Sequence, residues 1–484
     1  MTAPRRGDEL IEDGPAPLVV PDVRSRIRLL HAQAGRRFVV LDDDPTGSQC
    51  VHDVELVVGT GDALARAVRE PASTAFVLTN TRSMGEGQAV EATTAAADDV
   101  NRLATRLEGP LSIVSRGDST LRGHVAAELA ALDAAYRRGS GGGYDALLIA
   151  PAYLEAGRFT AADVHWATVG GTPVPVGETE FSRDATFGYR SSDLREYVEE
   201  QTRGRVRRDA VMSLSLDDIR IGGPGRVAEL LSSARDGRYV VVNATDYADL
   251  DVVALAVAEL MAAGHAFGVR CGPSFVPALA GIAPRDVLAF SELSPEGSRG
   301  HGLVVVGSHV GLTTTQVVAA QARGGLSTVE VDAAALVDPV QARRQHERCV
   351  AAATEALQTS DVLLMTSRQL RRSDDAQASL AISRGVSAAV SDIVRDVLAA
   401  RPAWVVAKGG ITSHDVAVHG LGLKRGVVLG QLLPGMVSVV RPLDAAAEAV
   451  GMPYVVFAGN VGGEDTLADI VDTMAGRRER AGAP

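Results

Sequence analysis

Short runs of Val, Ile, Leu and Phe recur along the 484-residue chain, separated by longer stretches with apolar residues at helical spacing. In the first half the runs cover residues 38–41, 54–58, 75–78, 111–114, 146–149 and 239–242. Residues 121–138 and 252–263 repeat their apolar positions every three or four residues and predict helices. Aliphatic runs of this kind, alternating with helices, predict parallel strands covered on both faces. The pattern stops at the polar, Pro- and Gly-bearing segment 291–302 and then restarts. Runs at 303–306, 329–331, 362–365, 404–407, 427–429 and 454–457 predict strands, and 341–358 and 378–400 predict helices. The expected fold class is α/β, with two α/β domains whose mostly parallel or mixed sheets are flanked by helices. The expected boundaries are a flexible lead-in over 1–36, a domain over 37–285, a linker over 286–302 and a domain over 303–484. The GSGGG run at 139–143 reads as a loop inside the first domain.

Composition narrows the class of partner. Hydrophobic residues make up 46% and charged residues 22%, enough apolar surface to build large cores and too little charge for wholesale disorder. A formal net charge of −12 argues against nonspecific nucleic-acid binding, which needs a positive footprint, but leaves room for a locally basic pocket. Three widely spaced cysteines, Cys50, Cys271 and Cys349, form neither a disulfide framework nor a zinc pattern and fit a reducing compartment. The N-terminal stretch has no apolar segment of the secretory kind, and no run approaches the roughly 20 apolar residues that span a bilayer. A cytoplasmic location is the expectation, with no membrane partner.

In open α/β sheets ligands collect beyond the carboxyl ends of strands, and six polar clusters fall at such ends. Asp42, Asp43 and Asp44 follow the first strand and lead into Pro-Thr-Gly. Three adjoining carboxylates repel one another; they suit a metal, a hydroxyl-bearing ligand or general-base work, or else a solvated turn with a helix-capping Asp. Residues 115–123, SRGDSTLRG, pack Arg116, Asp118, Ser119 and Arg122 into one strand-to-helix turn. Free N–H groups and two guanidiniums there suit a carboxylate or phosphate, whereas a helix cap would not need both arginines. Thr79 to Arg82 makes a smaller cluster of the same kind. In the second half, Gly307-Ser308, Lys408-Gly409-Gly410-Ile411-Thr412 and Gly459-Asn460-Val461-Gly462 are glycine- and hydroxyl-bearing turns after strands. Neither a Walker A loop nor a dinucleotide fingerprint is present. The chain is rich in arginine, and Lys408 and Lys424 are its only lysines. Lys408 therefore reads as a compact charge kept for a phosphate.

In this order the clusters resemble the four-carbon acid sugar kinase family. The Asp-Asp-x-Thr-Gly motif is matched at residues 43–47, Thr-Asn-x-Arg at 79–82 and the Asp-Ser-Thr-Leu-Arg-Gly block at 118–123. A Pro-Ala stretch running to Gly157-Arg158 and the three glycine turns of the second half complete the likeness, which spans residues 37 to 472. Arg116 stands where many members carry Lys, and Ala458 precedes a glycine where Lys is common. The resemblance implies a sugar-acid-binding domain, a nucleotide-binding domain with a cleft between them, and ATP-dependent phosphorylation of threonate, erythronate or 3-oxo-tetronate at the terminal 4-hydroxyl. It implies that Asp43 or Asp44 orients or deprotonates the attacking hydroxyl. Arg82, Asp118, Ser119 and Arg122 would hold the acid, and Arg116 would join them or offset charge on the phosphoryl group. Ser308, Lys408, Gly409, Gly410, Ile411, Thr412, Gly459, Asn460 and Gly462 would cradle ATP. Mg²⁺ is expected with the nucleotide, its protein ligands unassigned, and a homodimer is compatible with the likeness. Two other readings compete: a noncatalytic sugar-acid sensor, and a metal-dependent hydrolase built on Asp42 to Asp44.

Overall fold

The computed structural model describes residues 14–44, 47–294, 300–307, 311–367, 376–459 and 461–481. The chain divides into two compact units, Met1–Pro284 and Arg285–Pro484. Both are α/β.

The first unit is organised on eight parallel strands. They are β1 (Arg37–Asp42), β2 (Val54–Val58), β3 (Thr74–Leu78), β4 (Leu111–Arg116), β5 (Ala146–Ala150), β9 (Met212–Leu214), β10 (Arg238–Val242) and β11 (Phe267–Cys271), in the spatial order β2-β3-β1-β4-β11-β5-β10-β9. β1, β3, β5 and β11 are buried at every position, as strands covered on both faces must be. A separate antiparallel sheet, β6 (Arg158–Ala161), β7 (Val164–Val169) and β8 (Thr172–Pro175), follows β5.

The helix expected over 121–138 runs from Val125 to Ser140. It starts late because Leu121 and Gly123 take φ of 66° and 119°, outside the helical region, and it ends where Gly141 turns at φ 78°. The helix expected from 252 starts at Tyr247, because Asp246 and Asp249 form a reciprocal cap. The helix Glu86–Ala104 gives little apolar contrast, being rich in alanine, and had no counterpart among the expected elements. Part of the expected lead-in is ordered: Val23–Gln33 is a helix whose Val23, Ile27 and His31 are buried one turn apart. Arg24 ties it to Asp251 at 2.9 Å, and His31 Nε2 meets the Leu279 carbonyl oxygen at 2.9 Å.

The second unit contains β12 (Leu303–Val306), β13 (Leu326–Val331), β14 (Asp361–Thr366), β15 (Val405–Lys408), β16 (Arg425–Leu433), β17 (Val437–Asp444) and β18 (Tyr454–Phe457). Their order is β13-β14-β12-β15-β18-β17-β16. The first five are parallel, and β17 runs antiparallel to both β18 and β16. Its core joins Val304, Val306, Val406 and Phe457 to Leu467 and Val471 of the helix Thr466–Met474. Leu288 and Leu293, from the expected linker, are buried in this same core, and Phe290–Leu293 is a short helix. The segment belongs to the second unit because its two leucines are apolar enough to be buried there.

Candidate active site

The carboxyl ends of β1, β3, β4 and β11 bring together five arginines and five acids. Asp43 is gripped on both oxygens. Arg82 donates to Oδ1 at 2.6 Å, and Arg270 donates to Oδ2 at 2.9 Å. Arg270 also reaches Glu128 Oε2 at 2.9 Å and Ser115 Oγ at 2.8 Å, while Thr81 donates to the other Glu128 oxygen at 2.6 Å. Arg82 pairs further with Asp44 at 3.1 Å and lies 4.0 Å from Asp118. Burial works against the Arg82 charge, but Asp43, Asp44 and Asp118 outweigh it and hold its pKa well above the ordinary value.

Asp42 and Arg116 lie deeper. Arg116 donates to Asp42 Oδ1 at 3.1 Å and to Gln49 Oε1 at 3.3 Å, and both charged side chains are almost wholly buried. Burial pushes the Asp42 carboxyl up to about 7, against the pull of Arg116. A Cβ at Gly47 would lie 1.5 Å from Asp42 Oδ2, so the turn over this carboxylate admits only glycine. Arg116 is thus directed at Asp42 and Gln49.

Asp118 caps a second layer. Arg122 donates to it at 2.7 Å, and Thr120 also bonds it. Burial opposes its charge, but Arg82, Arg122 and Arg158 hold Asp118 well below the usual carboxylate range. Arg158 donates to Ser119 Oγ at 2.8 Å and lies 5.6 Å from the Tyr153 ring centre and 5.5 Å from that of Phe181. Arg122 lies over the same Phe181 ring at 5.3 Å. The turn itself is anchored from below: His165 Nε2 meets the Ser119 carbonyl oxygen at 2.7 Å, and Tyr189 and Tyr197 donate to the carbonyls of Thr120 and Leu121. Burial drops the His165 pKa to about 4, so at neutral pH the ring is uncharged.

Asp43, Asp44, Arg82, Asp118, Ser119 and Arg122 therefore sit in one connected network, with Arg116 beneath it. Arg158, Arg270 and Glu128 belong to the network and had no role assigned from the sequence. Arg158 ends a motif that was legible. Arg270 is the penultimate residue of β11, a strand absent from the expected elements. Among the described residues no group of three His, Cys, Asp or Glu is arranged to hold a metal ion. The three aspartates are divided among arginines.

In the second unit Lys408 ends β15 and is fully buried. Its Nζ donates to the Ala458 carbonyl at 2.8 Å and sits 3.5 Å from the centre of the Phe457 ring. Burial lowers its pKa to about 7 from 10.5. Gly409, at φ 121°, turns the chain into Gly410–Asp415, with Ile411 exposed. A Cβ on Gly410 would meet open space, whereas one on Gly462 (φ 82°) would come within 2.6 Å of Thr466 Oγ1. Thr412 is buried and faces Gly307; Thr313 Oγ1 donates to the Gly459 carbonyl at 2.9 Å, and Gln316 to those of Val461 and Gly463. Glycine-bearing turns let phosphate oxygens approach backbone N–H groups, so they fit a nucleotide. Ser308 and Asn460 lie outside the described residues.

The buried amine yields a pH prediction. Between pH 7 and 10.5 the unfolded chain carries a proton on Lys408 that the folded chain lacks, so stability rises with pH across that window. From pH 7 to 9 the protein is expected to gain about 1–3 kcal/mol relative to Lys408→Met, read by urea unfolding at each pH. Parallel pH profiles for the two proteins would contradict it.

A family model described as a sugar-binding N-terminal domain matches residues 38–279, and one described as a nucleotide-binding C-terminal domain matches residues 303–467. The chain belongs to the four-carbon acid sugar kinase family. D-threonate kinase of Salmonella typhimurium is 30% identical over 308 residues, a match covering 62% of this chain and 64% of that relative. The match thus spans less than two thirds of the relative's length. Two solved structures share the family's fold. One is a protein of Salmonella typhimurium LT2 described as a candidate tRNA synthase (TM-score 0.65, 17% identity, 89% of this chain and 98% of that one). The other is a Haemophilus influenzae protein of the DUF1537 family (TM-score 0.62, 19% identity, 90% of this chain and 100% of that one).

Proposed function

We propose that the protein is an ATP-dependent kinase that phosphorylates a four-carbon sugar acid, threonate, erythronate or 3-oxo-tetronate, at its terminal 4-hydroxyl. The observation that carries this reading is Arg158. Among the described residues no carboxylate lies within ion-pair distance of it, and burial lowers its pKa against the longer-range pull of Asp118, while Ser119 Oγ and two aromatic faces hold it in place. A half-buried guanidinium with no direct ion pair, beside Arg122, suits a ligand carboxylate. Polar groups of Asp118 and Ser119 lie beside it for the acid's hydroxyls.

ATP, when bound, supplies the phosphoryl group, and Mg²⁺ would neutralise its phosphates. The glycine turns at 409–412 and 459–462 would hold the nucleotide, and Lys408, through the Ala458 carbonyl, would fix the second of them. Asp44 would take the proton of the attacking hydroxyl, with Asp43 locked as its support. Arg116 would act from beneath by holding Asp42 and Gln49. The division of Asp42 to Asp44 among arginines weighs against the hydrolase reading, and the paired glycine turns weigh against a sensor without nucleotide.

The deciding experiment measures ADP release with ATP and Mg²⁺ against threonates, erythronates, 3-oxo-tetronates and longer aldonates. Strong turnover with one acid, and little without it, is expected. Silence across the panel, with no ATP binding, would overturn the kinase reading. On the active acid, Arg158→Gln is expected to raise KM about 10- to 100-fold, the worth of one charge-assisted contact, with kcat changed far less. An unchanged KM would remove Arg158 from the carboxylate subsite.

A further inference from the structure

At the opposite ends of the strands from the arginine–aspartate network, a cavity of about 140 Å³ opens among the starts of β4 and β11. Its walls include Arg36, Tyr136, Tyr144, Ile113, Met261 and Phe267. The two tyrosine rings stack at 4.3 Å with 13° between their planes. Arg36 donates from one terminal nitrogen to Ser112 Oγ at 2.7 Å and from the other to the Met261 carbonyl at 3.0 Å. That engages two of its five N–H groups. Among the described residues no carboxylate pairs with it. The nearby Asp145 is occupied by the Ala266 N–H at 2.9 Å and by His265 at 3.3 Å. Its neighbour Arg37 has a different fate, its two terminal nitrogens spent on three backbone carbonyls.

A partly buried guanidinium with spare donors and no counter-ion is costly unless an anion joins it. Burial accordingly lowers the Arg36 pKa. The rest of the wall combines Asn101, Ser112 and His265 with an apolar and aromatic side formed by Ile113, Met261, Phe267 and the two tyrosines, and the volume is that of a cavity able to hold a benzene-sized body. We propose that this cavity binds a small carboxylate with a compact, flat apolar body, its anionic head on Arg36 and its body between Ile113, Phe267 and the tyrosine pair. The site would be separate from the arginine–aspartate network, and the proposal does not depend on the kinase reading.

The test uses benzoate as probe and benzamide as its uncharged isostere, at constant ionic strength, on the full chain carrying Arg158→Gln to weaken carboxylate binding in the other network. Methyl-labelled Ile113 and Met261 report the cavity by NMR. Saturable shifts of both methyls with benzoate are expected, with benzamide at least about tenfold weaker, as befits a charge-assisted contact. Adding Arg36→Gln is expected to weaken benzoate by a similar factor. Methyls that stay still up to tens of millimolar benzoate, or that respond equally to benzamide, would overturn the proposal. If Arg36→Gln fails to fold, the comparison of the two probes decides alone.

Discussion

Arg270→Met is expected to destabilise the first unit by about 3–5 kcal/mol, the usual result of stripping one partner from a buried ion pair. Arg270 is 6% exposed and stands between Asp43, 3% exposed, and Glu128, 5% exposed, at 2.9 Å from each. Burial works against its charge, but Asp43 and Glu128 outweigh it and raise its pKa. Without the guanidinium, two carboxylates would remain in a volume that water does not reach, one hydrogen-bonded among the described residues by Arg82 and the other by Thr81 and Thr93. The chain has two tryptophans, Trp166 and Trp404, so a Trp404→Phe background leaves Trp166 to report urea unfolding of Met1–Pro284. Adding Glu128→Gln should restore part of the loss, because it removes one orphaned charge. A loss below about 1 kcal/mol, or no rescue by Glu128→Gln, would show that Arg270 is not what neutralises this pair.

Arg270 also marks where the sequence stops being legible. Asp43, Arg82 and Asp118 each follow an apolar run that reads as a strand, and parallel strands place their carboxyl ends side by side. Their convergence was therefore readable before any coordinates. β11, with sequence FGVRC, has a glycine and an arginine among five residues and carries no run long enough to stand out. Its arginine is 227 residues from the aspartate it neutralises, and no local pattern links them. The strand β17 was missed for a related reason, since Arg441 and Pro442 interrupt its aliphatic run. Lys408 shows the complementary limit. As one of two lysines in an arginine-rich chain it stood out, and it does end a strand beside two glycines. The direction of its side chain is set by Phe457 and the Ala458 carbonyl, both about 50 residues away, and it points into the core. The 23–33 helix was read as lead-in because its charged residues mask an apolar stripe of only Val23, Ile27 and His31.

Asp44→Asn is expected to lower kcat by about 10²- to 10⁴-fold, the range that general-base catalysis supplies, while ATP binding and fold stability stay near wild type. The three aspartates after β1 differ in what their surroundings leave them able to do. Asp42 is sealed beneath Gly47 against Arg116, so a substrate hydroxyl has no way to it. Asp43 has a guanidinium on each oxygen, which occupies the lone pairs a base needs. Asp44, with 23% of its side chain exposed, is the most open of the three and meets Arg82 through Oδ2 at 3.1 Å. Asp43→Asn should behave differently: its two arginines lose a buried partner, so stability and turnover fall together. The pair of variants separates the roles by measurement of kcat, ATP affinity and urea midpoint on the same samples. Near wild-type turnover in Asp44→Asn would transfer the proton-accepting role to Asp43 and make the Arg82–Asp43–Arg270 chain the reacting group's own support. Loss of ATP binding in Asp44→Asn would instead remove Asp44 from the hydroxyl altogether.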